Sequence, residues 1–247
     1  ETRLLATTFA EHAEATMRLI DAATVDFAAA WPVDSEAFRA EVARWQDTLG
    51  DLALQIGVTD ARADIIYSNL GLSGPVVNLS DREHIRVHLD RLHKGLFVSR
   101  PVVGRVSRKA SIQFSRGIER DSEVVGVVVV SLDPVYFHKF YGSLPLQAQI
   151  SISMIRNTGE LMVQVPSRAP VGSVVTGLPF IAGRDTAYGS HRGATGSDGT
   201  ERIHGFHNLA ERGITLTADV TVDDALADYR AERAMHVLAA LGMSLEI

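Results

Sequence analysis

Apolar residues recur at spacings of three and four over the first thirty positions, where Leu5, Phe9, Ala13, Met17, Ile20, Ala23 and Phe27 form one stripe. That is the period of an α-helix with one buried face. Pro32 ends it, because proline removes a donor and clashes with the preceding turn. A helix over residues 1–30 exceeds the roughly 11–12 residues usual in globular proteins. Such length suits a stalk or dimer seam, or a helix packed along its own domain. Ser35 is placed to cap a second helix over 36–49, with Phe38 and Trp45 inward.

The period then shortens to two. Residues 52–60 and 63–69 flank a turn at Asp60–Ala63 and read as a hairpin. A loop follows from Gly71, and Ser80 or Asp81 caps a helix that runs through Leu89. Residues 95–99 form a short strand and 110–119 an alternating one. The valine-rich run 123–132 reads as the buried centre of a sheet. Asp133 and Pro134 open a helix over 134–144, with proline in its first turn. Residues 149–165 form a hairpin around Asn157–Gly159. The Gly-, Pro- and Ser-rich stretch 167–186 reads as a crossover. Strands at 186–193, 200–209 and 214–222 would make a second, smaller sheet, closed by a helix over 222–241 capped near Asp223. The fold class is α+β: a long N-terminal helix, then two modules, each a central antiparallel sheet flanked by helices. The divisions fall at 1–50, 51–166 and 167–247.

The 247 residues can bury one large core or two small ones. A formal net charge of -6 offers no basic footprint for nucleic acid. Without cysteine there are no disulfides or thiolate metal sites, a usage compatible with an oxidising compartment. No stretch approaches the roughly 20 apolar residues that span a bilayer, and no signal-peptide pattern is present. The chain starts and stops inside helical patterns, so it reads as part of a longer protein.

Between Leu79 and Pro166 the text carries Ser80-Asp81-Arg82-Glu83, then Gly95 to Arg105, Ser111-Ile112, Ser115-Arg116 and Gly126 through Tyr141. In this order the segments resemble the double Cache family, the tandem PAS-like extracytoplasmic sensor domains of bacterial receptors. The resemblance implies two PAS-like modules, a membrane-distal one over 51–166 that binds a small molecule and a membrane-proximal one over 167–247. It further implies a periplasmic location, flanking membrane helices outside this chain, and homodimerisation through the N-terminal helix. The cytoplasmic output would be a diguanylate cyclase or a histidine kinase, and this chain itself no enzyme. Two departures border the expected pocket: His84-Ile85 where relatives often have Tyr-Phe, and Ala110 where they often have Trp. The Tyr/Arg/Trp/Asp arrangement of amino-acid-binding members is not found, so amino-acid sensing is not supported.

A pocket needs apolar walls and a few directed polar groups. Arg86 can grip a carboxylate or phosphate with its planar fork, or pair at the surface with Glu83. Arg100, extended before Pro101, can enter the pocket or staple the loop. Ser111, Gln113 and Ser115 share one strand face. If that face is inward they supply neutral hydrogen bonds, yet Ile112 and Phe114 on the other face also want burial, and Arg116 beside them is costly to bury unpaired. Asp133 reads as a helix cap or a partner for a ligand ammonium or hydroxyl, and Tyr136 as a packing residue with a wet hydroxyl or a wall of the pocket.

Nine histidines invite a metal reading. His84 and His88 are four apart on a helix and share a face, but Ile85 stands where a zincin motif needs glutamate and no third ligand is evident. No nucleophile elbow, P-loop or dinucleotide fingerprint occurs. The expectation is a ligand-binding sensor module without metal or cofactor. A dimerisation module with a vestigial pocket is the alternative, and a zinc hydrolase the third reading.

Overall fold

The computed structural model describes residues 1–143, 150–182, 186–194, 199–227, 229, 230 and 235. The long first helix, α1 (Thr2–Ala29), buries Phe9, Ala13, Met17, Ile20, Ala23 and Phe27 as the stripe predicts, while Leu5 is only half-buried. The second, α2 (Glu36–Leu49), begins at Ser35, whose hydroxyl accepts a 3.0 Å bond from the Phe38 amide. It buries Phe38, Val42, Trp45 and Leu49. Trp45 reaches back to α1, its Nε1 donating to Asp26 at 3.0 Å.

Sheet one contains β1 (Ala53–Asp60), β2 (Ile65–Ser68), β3 (Phe97–Val98), β4 (Val102–Val103), β5 (Ala110–Arg120) and β6 (Glu123–Leu132). Its spatial order is β2-β1-β6-β5-β3, with β4 also on β5. All pairs are antiparallel. The valine-rich β6 is central, as its composition requires. The helices α3 (Glu83–Leu89) and α4 (Val135–Gly142) follow β2 and β6 in the chain. Sheet two takes β7 (Ser151–Arg156), β8 (Leu161–Val165), β9 (Tyr188–Ala194), β10 (Glu201–Leu209) and β11 (Ile214–Thr221) in the order β8-β7-β11-β10-β9. The described residues also form short helical turns, among them α5 (Pro179–Ala182) and α6 (Val222–Ala225). The α+β class and the pair of antiparallel sheets agree with the sequence pattern.

The division at residue 166 does not. Residues Ser151–Arg156 pair with β11, from Ser151 opposite Asp219 to Arg156 opposite Ile214. The hairpin β7–β8 therefore belongs to sheet two, which has five strands rather than three. A hairpin's turn dictates which strand folds back on it, not which distant strand pairs with its other edge. The helix expected over 134–144 ends at Gly142 in a described segment that stops at Ser143. The closing helix starts at Val222, capped by the Thr221 hydroxyl rather than by Asp223. Most of its expected course to 241 lies outside the described residues.

One core joins the two sheets through α1. Ile56, Ile112, Phe114, Val128 and Val130 of sheet one share a cluster with Phe9, Met17 and Ile20 of α1 and with Met154, Ile214 and Leu216 of sheet two. The N-terminal turn of α1 lies so close to β10 that a Cβ on Gly205 would fall 2.2 Å from the Thr2 backbone. Polar contacts repeat this joint. Asp21 of α1 binds Arg116 of β5 with one oxygen and Arg212, beyond β10, with the other at 3.3 Å. Arg212 also reaches Glu14 at 3.3 Å. On the other side of sheet one, Arg156 of β7 pairs with Glu83 of α3 at 3.1 Å.

Replacing Asp21 with alanine leaves Arg116, whose side chain is 21% exposed, without its carboxylate. We expect a loss of about 1–3 kcal/mol and a melting temperature lower by several degrees. Thermal unfolding of the variant checks this, and an unchanged melting temperature would show the joint to be solvent-screened.

Candidate functional site

Alternation along the strands of sheet one creates two unlike faces. Ile112, Phe114, Val128 and Val130 point to α1 and α2. The opposite face carries Val127 and Val129, which pack with Leu79 and Ile85, and the polar residues Ser111, Gln113, Ser115 and Ser131, all buried. The sequence conflict over β5 thus resolves with both faces buried. Arg116 tolerates its place beside α1 because Asp21 and Thr24 receive its guanidinium, the latter at 3.1 Å.

Between this polar face, α3 and the loop carrying β4 lies a cavity of about 40 Å³. By volume it holds roughly three waters. Gln55, Thr59, Gln113, Ser131, His84, Arg82 and Arg105 supply its polar lining, and Ile65, Leu79, Val102, Val103, Val106 and Val129 much of its apolar wall. The floor is internally bonded. Gln113 donates to Ser111 at 2.8 Å and accepts from Ser131 at 2.6 Å, while Gln55 donates to Ser68 at 3.0 Å. The roof is latched by Arg105, which grips both oxygens of Asp81 at 2.8 Å and the Asn78 carbonyl. Arg82 donates to the Val103 carbonyl at 3.2 Å.

Two atoms break this pattern of satisfied groups. The Thr59 hydroxyl and His84 Nδ1 are buried without a hydrogen-bond partner, and both residues line the cavity. Burial, helped by the Arg82 and His88 charges, pushes His84 down to about 3, so its imidazole is neutral. Burial and the nearby His93 lower His88 to about 4. His88 shares a 3.0 Å hydrogen bond with Ser115 through Nε2. His84 and His88 do share a helix face, but the described residues bring no third ligand to them.

Of the seven residues proposed from sequence, Gln113 alone lines this cavity. Ser111 supports Gln113, and Ser115 is committed to His88. Arg86 is exposed and pairs with Asp90 at 3.3 Å instead of with Glu83. Arg100 is exposed at the surface. Asp133 accepts from the Val135 amide at 2.9 Å in the turn before α4, whose N-cap is Pro134, and with Tyr136 lines a separate cleft by α4. Tyr136 stacks on His12 with ring centroids 6.2 Å apart. The sequence reading missed Arg82 because it started α3 too early. Asp81 is spent on Arg105, the helix begins at Glu83, and Arg82 is left extended beside the cavity. His84 was visible as a departure at the pocket's border, and Thr59 carried no signal beyond its place on an apolar strand.

Solved structures match this arrangement over nearly its full length. The extracellular domain of rpHK1S-Z16, assigned as a histidine kinase, superposes with a TM-score of 0.78 at 24% identity, covering 91% of this chain and 95% of that one. The chain has the double Cache fold. Two more Cache-type domains agree less closely. The ligand-binding domain of the Pseudomonas fluorescens chemoreceptor CtaA, in complex with L-isoleucine, gives a TM-score of 0.63 at 16% identity, covering 92% of this chain and 91% of that one. That of the Pseudomonas aeruginosa PAO1 chemoreceptor PctB, in complex with L-Arg, also gives 0.63 at 16%, covering 90% and 97%. Neither a family model nor a curated protein matches the sequence. In this chain two antiparallel sheets share one long helix, and the cavity sits in the first of them.

The depressed His84 and His88 values set a pH dependence. Both groups would be protonated in the unfolded chain below its ordinary pKa of 6.5 and remain neutral when folded until about 3 and 4. Stability is therefore lost as pH falls from about 6.5 toward 4. A His84→Gln variant, which cannot titrate, should lose less stability over that window than the parent. Denaturant melts at pH 7 and pH 4.5 check this, and equal losses would contradict it.

Proposed function

We propose that this chain is the extracytoplasmic small-molecule sensor domain of a transmembrane signalling receptor. The observation that supports this most is the cavity of sheet one, closed by a latched loop and holding two unpartnered buried polar atoms. Among the described residues three buried side-chain polar atoms lack a hydrogen-bond partner, these two and the Ser151 hydroxyl of sheet two, and the two that face the cavity mark a place for a polar occupant. The first module is then the membrane-distal, ligand-binding one and the second the proximal one, with β7–β8 moved to the latter. Gln55, Thr59, Arg82, His84, Gln113 and Ser131 are the residues that would face the ligand.

Signal would leave through the helices. Ligand binding shifts a conformational equilibrium only by its differential affinity for the two states. The cavity and α1 contact opposite faces of the same sheet, so a change in strand position beneath the ligand is felt by α1 and its Asp21 joint. Exposed Leu4, Leu19 and Val25 on α1 suit a homodimer seam between parallel copies. The receptor's output would be a histidine kinase or a diguanylate cyclase, with membrane anchors outside this chain. No helix among the described residues is long and apolar enough to cross a membrane. The small volume of the cavity favours one second reading, a dimerisation module with a vestigial pocket.

A thermal-shift screen of small carboxylates, amines, polyols, amino acids and purines separates the two. A ligand at 100 times its dissociation constant adds about 2.7 kcal/mol, several degrees for a chain of this size. Gly57 lines the cavity, and a Cβ there meets nothing closer than 3.6 Å. A Gly57→Val variant should therefore fold, fill the cavity and lose the shift. A shift that survives in that variant would place the ligand elsewhere, and a flat screen would support the dimerisation module.

A further inference from the structure

We infer that the cavity takes a small carboxylate with a hydroxyl or keto oxygen on its α-carbon and no amine, the carboxylate on Arg82 and the α-oxygen on His84 and Thr59. This rests on the sensor reading above and names the ligand class for it.

Arg82 is half-buried, lines the cavity, and gives a single described hydrogen bond to a neutral carbonyl, that of Val103. Among the described residues it forms no ion pair. Asp81 is its chain neighbour, but both Asp81 oxygens are held by Arg105. A partly desolvated cation in this position lacks an anion, and the planar fork matches a carboxylate. Arg105 is unlike it, already saturated by Asp81 and the Asn78 carbonyl.

The α-oxygen follows from the two unpartnered atoms. His84 is 4% exposed and Thr59 1%, and their Nδ1 and Oγ1 have no partner. A neutral imidazole and a hydroxyl can each donate or accept, so either a hydroxyl or a keto oxygen satisfies them. An ammonium could donate to the same two atoms but would find no counter-charge. No aspartate or glutamate lines the cavity, so an α-amine would be buried as an unpaired cation beside Arg82. Size sets the remaining limit. About 40 Å³ of space admits a molecule of only a few heavy atoms, which points to two- and three-carbon acids.

Isothermal titration of the 247-residue chain with glycolate, L-lactate, pyruvate, acetate, glycine and L-alanine tests this. Glycolate, lactate or pyruvate should bind, with glycine and alanine at least about tenfold weaker. Arg82→Gln should weaken the acid at least about tenfold. Arg82→Lys, which keeps the charge but not the fork, covers the case in which the first variant does not fold, and should also weaken it. Thr59→Val should erase the preference for glycolate over acetate while acetate still binds. Equal binding of glycine and glycolate, or unchanged affinity in both Arg82 variants, would overturn the assignment. If instead an amine or polyol binds and loses its effect in Gly57→Val, the acid class is wrong and the sensor reading stands. If none of these acids binds and the wider screen is also flat, both fall.

Discussion

The apolar stripe of α1 is the contact on which everything else depends. It buries Phe9, Met17, Ile20 and Phe27 completely or nearly so, and it does so against two sheets at once. Each such side chain contributes about 1.5–3 kcal/mol by leaving water. Neither sheet alone would cover a helix of 28 residues, so the length of the stripe dictates that both modules line up along it. The Asp21 pairs to Arg116 and Arg212 then fix the register of helix against sheets, adding direction to a contact that hydrophobic burial alone leaves loose.

Because α1 covers one face of sheet one, the other face is free to become polar. A row of Ser111, Gln113, Ser115 and Ser131 would destabilise an ordinary core unless bonded. Here the residues bond one another and His88, which makes a rigid floor. The floor's saturation is what gives meaning to Thr59 and His84, whose polar atoms it leaves out. The latch of Arg105 on Asp81 covers the cavity with a loop of valines. Opening it breaks the exposed and so weakly stabilising Arg105–Asp81 pair together with the hydrogen bonds to the Asn78 and Val103 carbonyls. A cavity with a rigid floor and a lightly held roof can admit a ligand without disturbing the core beneath.

Much of this was legible in the sequence where a periodic pattern was long. The α1 stripe, the Ser35 cap, the valine centre of β6 and the alternation of β5 all stand as read, because each depends on local spacing. The partner of β7 was not legible, since β11 lies almost sixty residues downstream and no local signal names it. The site was read less well than the fold. Arg86 attracted attention by sitting squarely on a helix, while Arg82, which lines the cavity, sits one residue before the helix begins. That boundary is decided by Asp81 pairing with Arg105, twenty-four residues away. Arg116 looked like an error in the core until its partner Asp21 came from α1. The resemblance to double Cache sensors implied two modules behind a long helix, but that both sheets pack on that helix is seen only in the structure.

Backbone hydrogen exchange, with and without a small molecule that stabilises the chain, tests most directly whether cavity and helix form one unit. Slower exchange is expected in β1, around Leu79 to His84 and in the 102–106 loop, together with a change in α1 near Asp21. Protection confined to the cavity walls would contradict the coupling through sheet one. Protection confined to sheet two would contradict the assignment of the site itself.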